Sequence, residues 1–395
     1  MSMRGFVTFL MAIALLFTNC TKDPVPITGV KLKLNKLNLN VDSSFRFTPV
    51  FEPEEAYDRV EWSSSNPFVA SIDENGVVTA HQTGATIVKA KVKEFTAECM
   101  VTVVPHIYTA GSNAVMDGDK ELYKVNEKTI LRADADHNIY TTSTIPGESY
   151  THTIQIKKNG QPLYKLYKGD LNSGVTAFEI DGTNLYTAID IYDNYTAKQE
   201  SRVYKNGQLY HHFDDYSSTS IRSVCANGND VYCGGYIYNG RFTAAVWKNK
   251  QLLYSLYNTL NDAWVKSIAI DGDDVYSLVS VFHRHIYIFK NDQQIFYTNE
   301  YGESSNLVVK DGHVYLVLGE NQYAYIYVDG QKGVSLKTEK YQGTLSMTIY
   351  ETAICGEDLY TVGICNYNPI IWKNGEILYR LPNSIEDLTS ISVQP

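Results

Sequence analysis

Nine histidines, six cysteines and 44 carboxylates are enough raw material for catalysis, but their spacing does not suit it. His211 and His212 are neighbours on an extended strand and point to opposite faces, while His283 and His285 share a face and have no third ligand near them in sequence. Asp134, Asp136 and Asn138 have the alternating oxygens of a calcium loop without the acidic anchor that closes an EF-hand, so turn formation explains them better. The sequence has no Gly-x-Ser-x-Gly elbow, no His-Glu-x-x-His pair, no phosphate-cradling glycine loop and no Cys-x-x-Cys pair. Scattered carboxylates remain, at Asp190, Asp193, Asp214, Asp215, Glu303 and Glu320. Two of them at a suitable separation would serve a polysaccharide-cleaving enzyme. No catalytic residue, cofactor or metal ligand is assigned on this reading.

Recognition chemistry is better supplied. Between the apolar runs lie Tyr192, Tyr195, Tyr216, Tyr236, Tyr238, Trp264, Tyr301, Tyr323, Tyr341 and Tyr367, mixed with Asp, Asn and Glu. Aromatic rings stack on the apolar faces of sugars while carboxylates and amides bond the hydroxyls, and the same mixture makes a protein-binding patch. The candidate ligand-binding residues are Trp264, Tyr238, Tyr195, Tyr216, Tyr301, Tyr367, Asp193 and Asp215. Trp264 leads the set, because it precedes a strand near an expected channel mouth where an earlier repeat carries only Ser220. Abundance alone is no argument: of 31 tyrosines, against 14 phenylalanines, many recur at fixed strand positions.

Those positions belong to a repeat that must hold the loops in place. One phrase, an apolar pair, a Lys-Asn-Gly-like turn and an apolar run, appears as IQIKKNGQPLY from Ile154, VYKNGQLY from Val203, VWKNKQLLY from Val246, YIFKNDQQIFY from Tyr287, YIYVDGQKG from Tyr325 and IWKNGEILY from Ile371. A second alternates with it, as Asp181-Gly182-Thr183-Asn184-Leu185-Tyr186 and again around Gly228, Gly272, Gly312 and Gly356. Asp-Gly and Asn-Gly between apolar runs signal tight hairpins, so each unit reads as four strands, a to d. A period of about forty residues built from short strands is the signature of a β-propeller. The strand-b tyrosines, Tyr108, Tyr140, Tyr186, Tyr232, Tyr276, Tyr315 and Tyr360, predict seven blades. The short first interval predicts a first blade without its d strand, with six and a half blades as the alternative. Residues 388–393 read as a strand a with no b, which would complete the first blade and close the ring. The a–b and c–d turns are tight and share one face, leaving the long b–c and d–a loops on the other.

The N-terminal third is different. Residues 6–17 are apolar apart from Thr8, too short to span a bilayer and suited to a signal-peptide core. Leu16-Phe17-Thr18-Asn19-Cys20 resembles the lipobox of bacterial lipoproteins, with Asn19 where Gly, Ala or Ser is usual. The resemblance implies cleavage after residue 19, a lipid on Cys20 and a tether over 20–27. Lys22-Asp23 is similar to the surface-export signal of Bacteroidetes lipoproteins, which implies an outer-membrane, cell-surface location with the periplasmic face as the alternative. Residues 28–104 resemble the bacterial immunoglobulin-like group 2 domain of intimin- and invasin-type adhesins, through Val60-Glu61-Trp62-Ser63-Ser64-Ser65-Asn66-Pro67, Val69-Ala70-Ser71-Ile72, Asn75-Gly76-Val77-Val78-Thr79-Ala80, Gly84-Ala85-Thr86-Ile87-Val88 and Met100-Val101-Thr102-Val103. That implies a spacer or adhesion module. Alternation of Leu32, Leu34, Phe45 and Phe47, with Trp62 as a core residue, gives a small sandwich independently. The propeller is then 105–395.

Composition fits this all-β organisation. A formal net charge of −10 argues against a general nucleic-acid or anionic-membrane surface, so membrane attachment rests on Cys20. Lipidation would leave five cysteines, an odd number, and buried thiols are preferred to a disulfide framework. The expected protein is an envelope-anchored lipoprotein whose long-loop face binds a glycan or a protein partner. The alternatives are a polysaccharide-active enzyme, for which the Ser-x-Asp-x-Gly-x-x-Trp boxes of sialidase propellers are absent, and a scaffold subunit of an envelope complex.

Overall fold

The computed structural model describes residues 25–395 apart from 149, 150, 171, 257–259, 261, 282–284, 300–302, 321, 339–345, 384, 386 and 387. The chain divides into two compact units, Met1–Val104 and Pro105–Pro395.

In the first unit, alternation builds a β-sandwich. One sheet orders Lys36–Asn40, Phe95–Val104, Gly84–Val92 and Glu61–Ser64, and the other orders Ser44–Arg46, Val77–Ala80 and Ala70–Ile72, with Gly29–Leu32 paired to Pro49–Glu52. Inward residues recur at every second position, so Val88 and Ala90, and Cys99, Val101 and Val103, are sealed from solvent. Trp62 packs over Phe47 with ring centroids 6.1 Å apart and covers Gly76. A Cβ on Gly76 would lie 2.8 Å from the indole, and its φ of +76° already favours glycine. The hydroxyl of buried Thr86 meets Ser64 Oγ (2.9 Å), Ser65 Oγ (3.1 Å) and the Asn66 N–H (2.9 Å), which accounts for the Ser-Ser-Ser-Asn phrase. Leu34 departs from the expected alternation: it sits in the bend between two strands and is exposed.

The second unit contains seven four-stranded antiparallel sheets. Blade 1 comprises Ser390–Gln394 as strand a, then His106–Ala110, Ala114–Asp117 and Lys120–Lys124. Strands a of blades 2 to 7 are Leu131–Ala133, Ser173–Asp181, Ser218–Asn227, Ala263–Asp271, Val308–Lys310 and Met347–Cys355. Each strand a packs beside that of the next blade, and Ser390–Gln394 lies between Met347–Cys355 and Leu131–Ala133, which closes a seven-bladed propeller. The expectation that blade 1 lacks its d strand is therefore corrected. Lys120–Lys124 supplies it after a turn at Gly118, whose φ is +57°, so the short interval reflects short strands and a short turn.

Closure is cross-linked. The last strand pairs with His106–Ala110 from His106↔Gln394 to Ala110↔Ser390. Ser390 and Ser392 accept the Leu131 and Ala133 N–H groups of blade 2 at 2.9 and 3.0 Å, while the Ile391 N–H donates to Glu351 of blade 7 at 2.8 Å. Arg132 donates to both oxygens of Glu351 (2.7 and 3.3 Å) and to Glu179 (3.1 Å), joining blades 2, 3 and 7 across the channel.

The two repeated phrases meet inside each blade. In blade 4, Lys248 pairs with Asp230 at 2.7 Å and lies over the Tyr232 ring, while Asn249 accepts the Val231 N–H at 2.9 Å and donates to Asp230 at 2.7 Å. Blade 5 repeats this with Lys290, Asp274, Tyr276 and Asn291, and blade 7 with Lys373, Asp358, Tyr360 and Asn374. The left-handed Asn at the c–d turn thus caps strand b, which is why Asn recurs there. These bonds occupy the turn Lys and Asn and the strand-b Asp of those three blades.

Candidate functional site: an aromatic and cationic pocket at the channel mouth

Strand a carries small apolar residues in most blades, but in four of them its ladder is interrupted. Register shifts between Val175 and Ala177, Ile221 and Ser223, Val265 and Ser267, and Ile349 and Glu351 leave Thr176, Arg222, Lys266 and Tyr350 as the extra residues. A bulge frees one residue from the ladder and re-aims its side chain. All four line the central cavity, about 440 Å³, together with Glu179, Glu351 and Cys225.

Arg222 and Lys266, on neighbouring blades, also line a second cavity of about 510 Å³ whose other walls are Tyr236, Phe242 and Trp264. This pocket lies at the long-loop end of the strands, since Trp264 is near the start of strand a, Tyr236 near the end of strand b (Asp230–Tyr238) and Phe242 at the start of strand c (Phe242–Lys248). Tyr236 meets Phe242 edge-to-face at 5.1 Å, and Tyr238 packs on the same Phe242 at 5.0 Å. The Arg222 guanidinium lies 5.8 Å over the Tyr236 ring. The Tyr236 hydroxyl donates to Gln199 (3.2 Å), and Gln199 donates to Asp190 (2.6 Å). Asp190 also accepts from Ser201 and Ser220, the latter at 2.5 Å. Burial raises the Asp190 pKa above the ordinary carboxylate value, partly offset by these hydroxyls and by Arg222. It braces the pocket from behind and is not part of its wall.

Lys266 donates to the Ser304 carbonyl and to Ser304 Oγ (3.0 Å). Burial pushes its pKa down to about 8, with Glu303 opposing the shift. Among the described residues neither Arg222 nor Lys266 forms an ion pair, and no carboxylate lines the pocket. Among the described residues the two cations therefore face a part-apolar cavity with no carboxylate bonded to them, only the fields of Asp190 and Glu303.

The sequence-derived candidates disperse. Trp264 lines the pocket, although it lies within strand a and not ahead of it, and Tyr238 supports Phe242. Tyr216 is half-buried against the core shared by blades 3 and 4. Tyr195 and Tyr367 are fully and largely exposed on other loops. Asp193 accepts from Tyr195 and Thr196 of its own turn, which holds its pKa low, and Asp215 is exposed. Tyr301, His283 and Cys20 lie outside the described residues. Of the proposed enzymatic acids, Glu320 is buried and bound by Tyr327 and Lys332, Asp214 faces His212 at 3.7 Å, and Asp190 and Glu303 act on Arg222 and Lys266 of the pocket without lining it. Asp134 serves a turn, accepting from Asp136, Asn138 and Tyr140. No group of three or more metal-ligating side chains occurs among the described residues. Cys99, Cys225, Cys233 and Cys355 are thiols outside any disulfide, and burial raises their pKa values. Arg222, Lys266 and Phe242 were missed. The signal for Arg222 and Lys266 was a charged residue inside an otherwise small, apolar strand a.

Residues 26–103 match the family model of the bacterial Ig-like domain (group 2). An uncharacterized protein of Clostridium acetobutylicum is 26% identical over 180 residues, covering 43% of this chain, and the chain spans only 17% of that relative. Similar solved structures include the β-propeller domain of the Trilobed protease from Pyrococcus furiosus (10% identity, 90% of this chain and 96% of that one, TM-score 0.44). They also include the Cps50 (Swd1) β-propeller domain of Myceliophthora thermophila (12%, 72% and 92%, 0.44) and the WD40 β-propeller domain of Doa1 (16%, 70% and 88%, 0.40). The chain is all-β, an Ig-like unit followed by a propeller.

Proposed function

We propose that this is a binding protein whose propeller holds a glycan in the Trp264 pocket without breaking a covalent bond. The observation that carries the reading is a concave wall of Trp264, Tyr236 and Phe242 with polar groups at its base and no carboxylate among its described lining residues. At about 510 Å³ it falls within the roughly 300–1,000 Å³ typical of small-ligand sites. Sugar rings present C–H faces to aromatic walls, and an indole supplies the largest such surface. A glycosidase needs two carboxyls across the scissile bond, roughly 5–10 Å apart. The Ig-like unit would act as a spacer, and a lipid on Cys20 would attach the protein to the outer membrane, facing the cell surface. A glycan-array and polysaccharide-retardation screen, with bound samples assayed for new reducing ends, tests the reading. Retention without cleavage, abolished by Trp264→Ala, supports it. Cleavage, or retention that Trp264→Ala leaves unchanged, overturns it. The anchor is tested by metabolic labelling with a fatty acid, where Cys20→Ser should lose label and membrane association together.

A further inference from the structure

We infer that the pocket selects a carboxylated sugar, whose acid group is held by Arg222 and Lys266 while a ring of the glycan lies against Trp264. The inference rests on the glycan-binding reading above and adds the ligand's charge. Both cations are bulge residues on adjacent strands a, and both border the same two cavities, so they project into one space from neighbouring blades. Lys266 is partly buried, where a cation without a counter-charge is costly, and Arg222 is exposed beside it; Arg132, in the same central cavity, is matched by Glu179 and Glu351. Among the described residues Arg222 receives the face of Tyr236 and the field of Asp190, and Lys266 receives Ser304 and the field of Glu303. A bound anion would complete both. Arginine's planar fork matches a carboxylate in two parallel hydrogen bonds, and lysine adds a point charge.

The rest of the molecule limits how much charge the ligand carries. The chain's net charge is −10, so a dense polyanion meets repulsion, whereas an isolated carboxylate feels the two cations at short range. Uronic-acid oligosaccharides fit this condition better than heavily sulfated chains.

The test titrates the full chain with galacturonate, glucuronate and mannuronate oligosaccharides, each paired with its carboxyl-reduced product, and with sulfated oligosaccharides of matched length. At least one uronate should bind about tenfold or more tighter than its reduced form. Arg222→Gln and Lys266→Gln should each erase most of that preference at an unchanged melting temperature, and Arg222→Lys should recover part of it. If glycans bind through Trp264 with equal affinity in acidic and reduced forms, the charge inference falls and the glycan reading stands. Tighter binding of the sulfated series than of every uronate also overturns the inference. If no glycan binds, both fall.

Discussion

Removing residues 388–395 should unfold the propeller, and the structure gives the size of the effect. Leu388 and Ile391 are 1% and 3% exposed and sit in one cluster with Ile107, Met116, Val362 and Ile371. Truncating one buried aliphatic side chain costs about 2–5 kcal/mol, so Ile391→Ala alone should lower the melting temperature by several degrees at roughly 2–4 °C per kcal/mol. Full deletion removes both side chains, the ladder from His106↔Gln394 to Ala110↔Ser390, and the bonds from Ser390 and Ser392 to blade 2. It also strips Glu351 of the Ile391 N–H and exposes the edge of His106–Ala110. The two side chains alone amount to about 4–10 kcal/mol, comparable with the whole stability of a typical domain, about 5–15 kcal/mol. Calorimetry on the full chain, Ile391→Ala and the deletion should show the propeller transition shifted down and then absent, with the Ig-like transition retained. A deletion variant that melts at the wild-type temperature would refute the closure argument.

The remaining predictions concern the pocket and the local turns. Lys266→Met should abolish the preference for an acidic ligand with little loss of stability. A fall in pKa from 10.5 to about 8 corresponds to about 3 kcal/mol of charge-burial cost, and stranding Ser304 returns about 1–3 kcal/mol of it. A large drop in melting temperature would instead make Lys266 a structural residue. The sign of the pH effect follows from the direction of that shift. The folded amine holds its proton less tightly than the unfolded one, so the stability penalty is full below about pH 8 and fades as pH rises toward 10.5. Affinity for an acidic oligosaccharide runs the other way, declining as pH rises through about 8 in the wild type and staying flat in Lys266→Gln, with Arg222 and Glu303 as the flanking charges. Asn249→Ala should cost about 1–3 kcal/mol in chemical denaturation by orphaning the buried Val231 N–H. Gly76→Ala should lower the Ig-like transition, and an unshifted transition would contradict the contact with Trp62.

Blade number was legible because the seven strand-b tyrosines mark a position that the fold uses for one purpose, seating a turn lysine in at least five blades. The first d strand was not legible, because Leu122-Tyr123 lacks the Lys-Asn-Gly phrase that marks the others. The pocket was only half legible. Trp264 stood out by size, whereas Arg222 and Lys266 owe their aim to bulges, and one extra residue in a strand leaves no trace in an alternating pattern. Exposure was the least legible property. Tyr195, Tyr216 and Tyr367 look alike in sequence, yet Tyr216 packs inward because Phe213 and Trp247 offer it an apolar seat.

His106 and Gln394 are register partners, so the chain enters and leaves the disc at the same end of the same blade, and that end belongs to the face of tight turns. A handle attached at residue 105 or after residue 394 would therefore orient a layer of these discs on a support with every Trp264 pocket turned outward, and a linker joining those two residues would allow the ring to be reopened at another blade without disturbing the pocket.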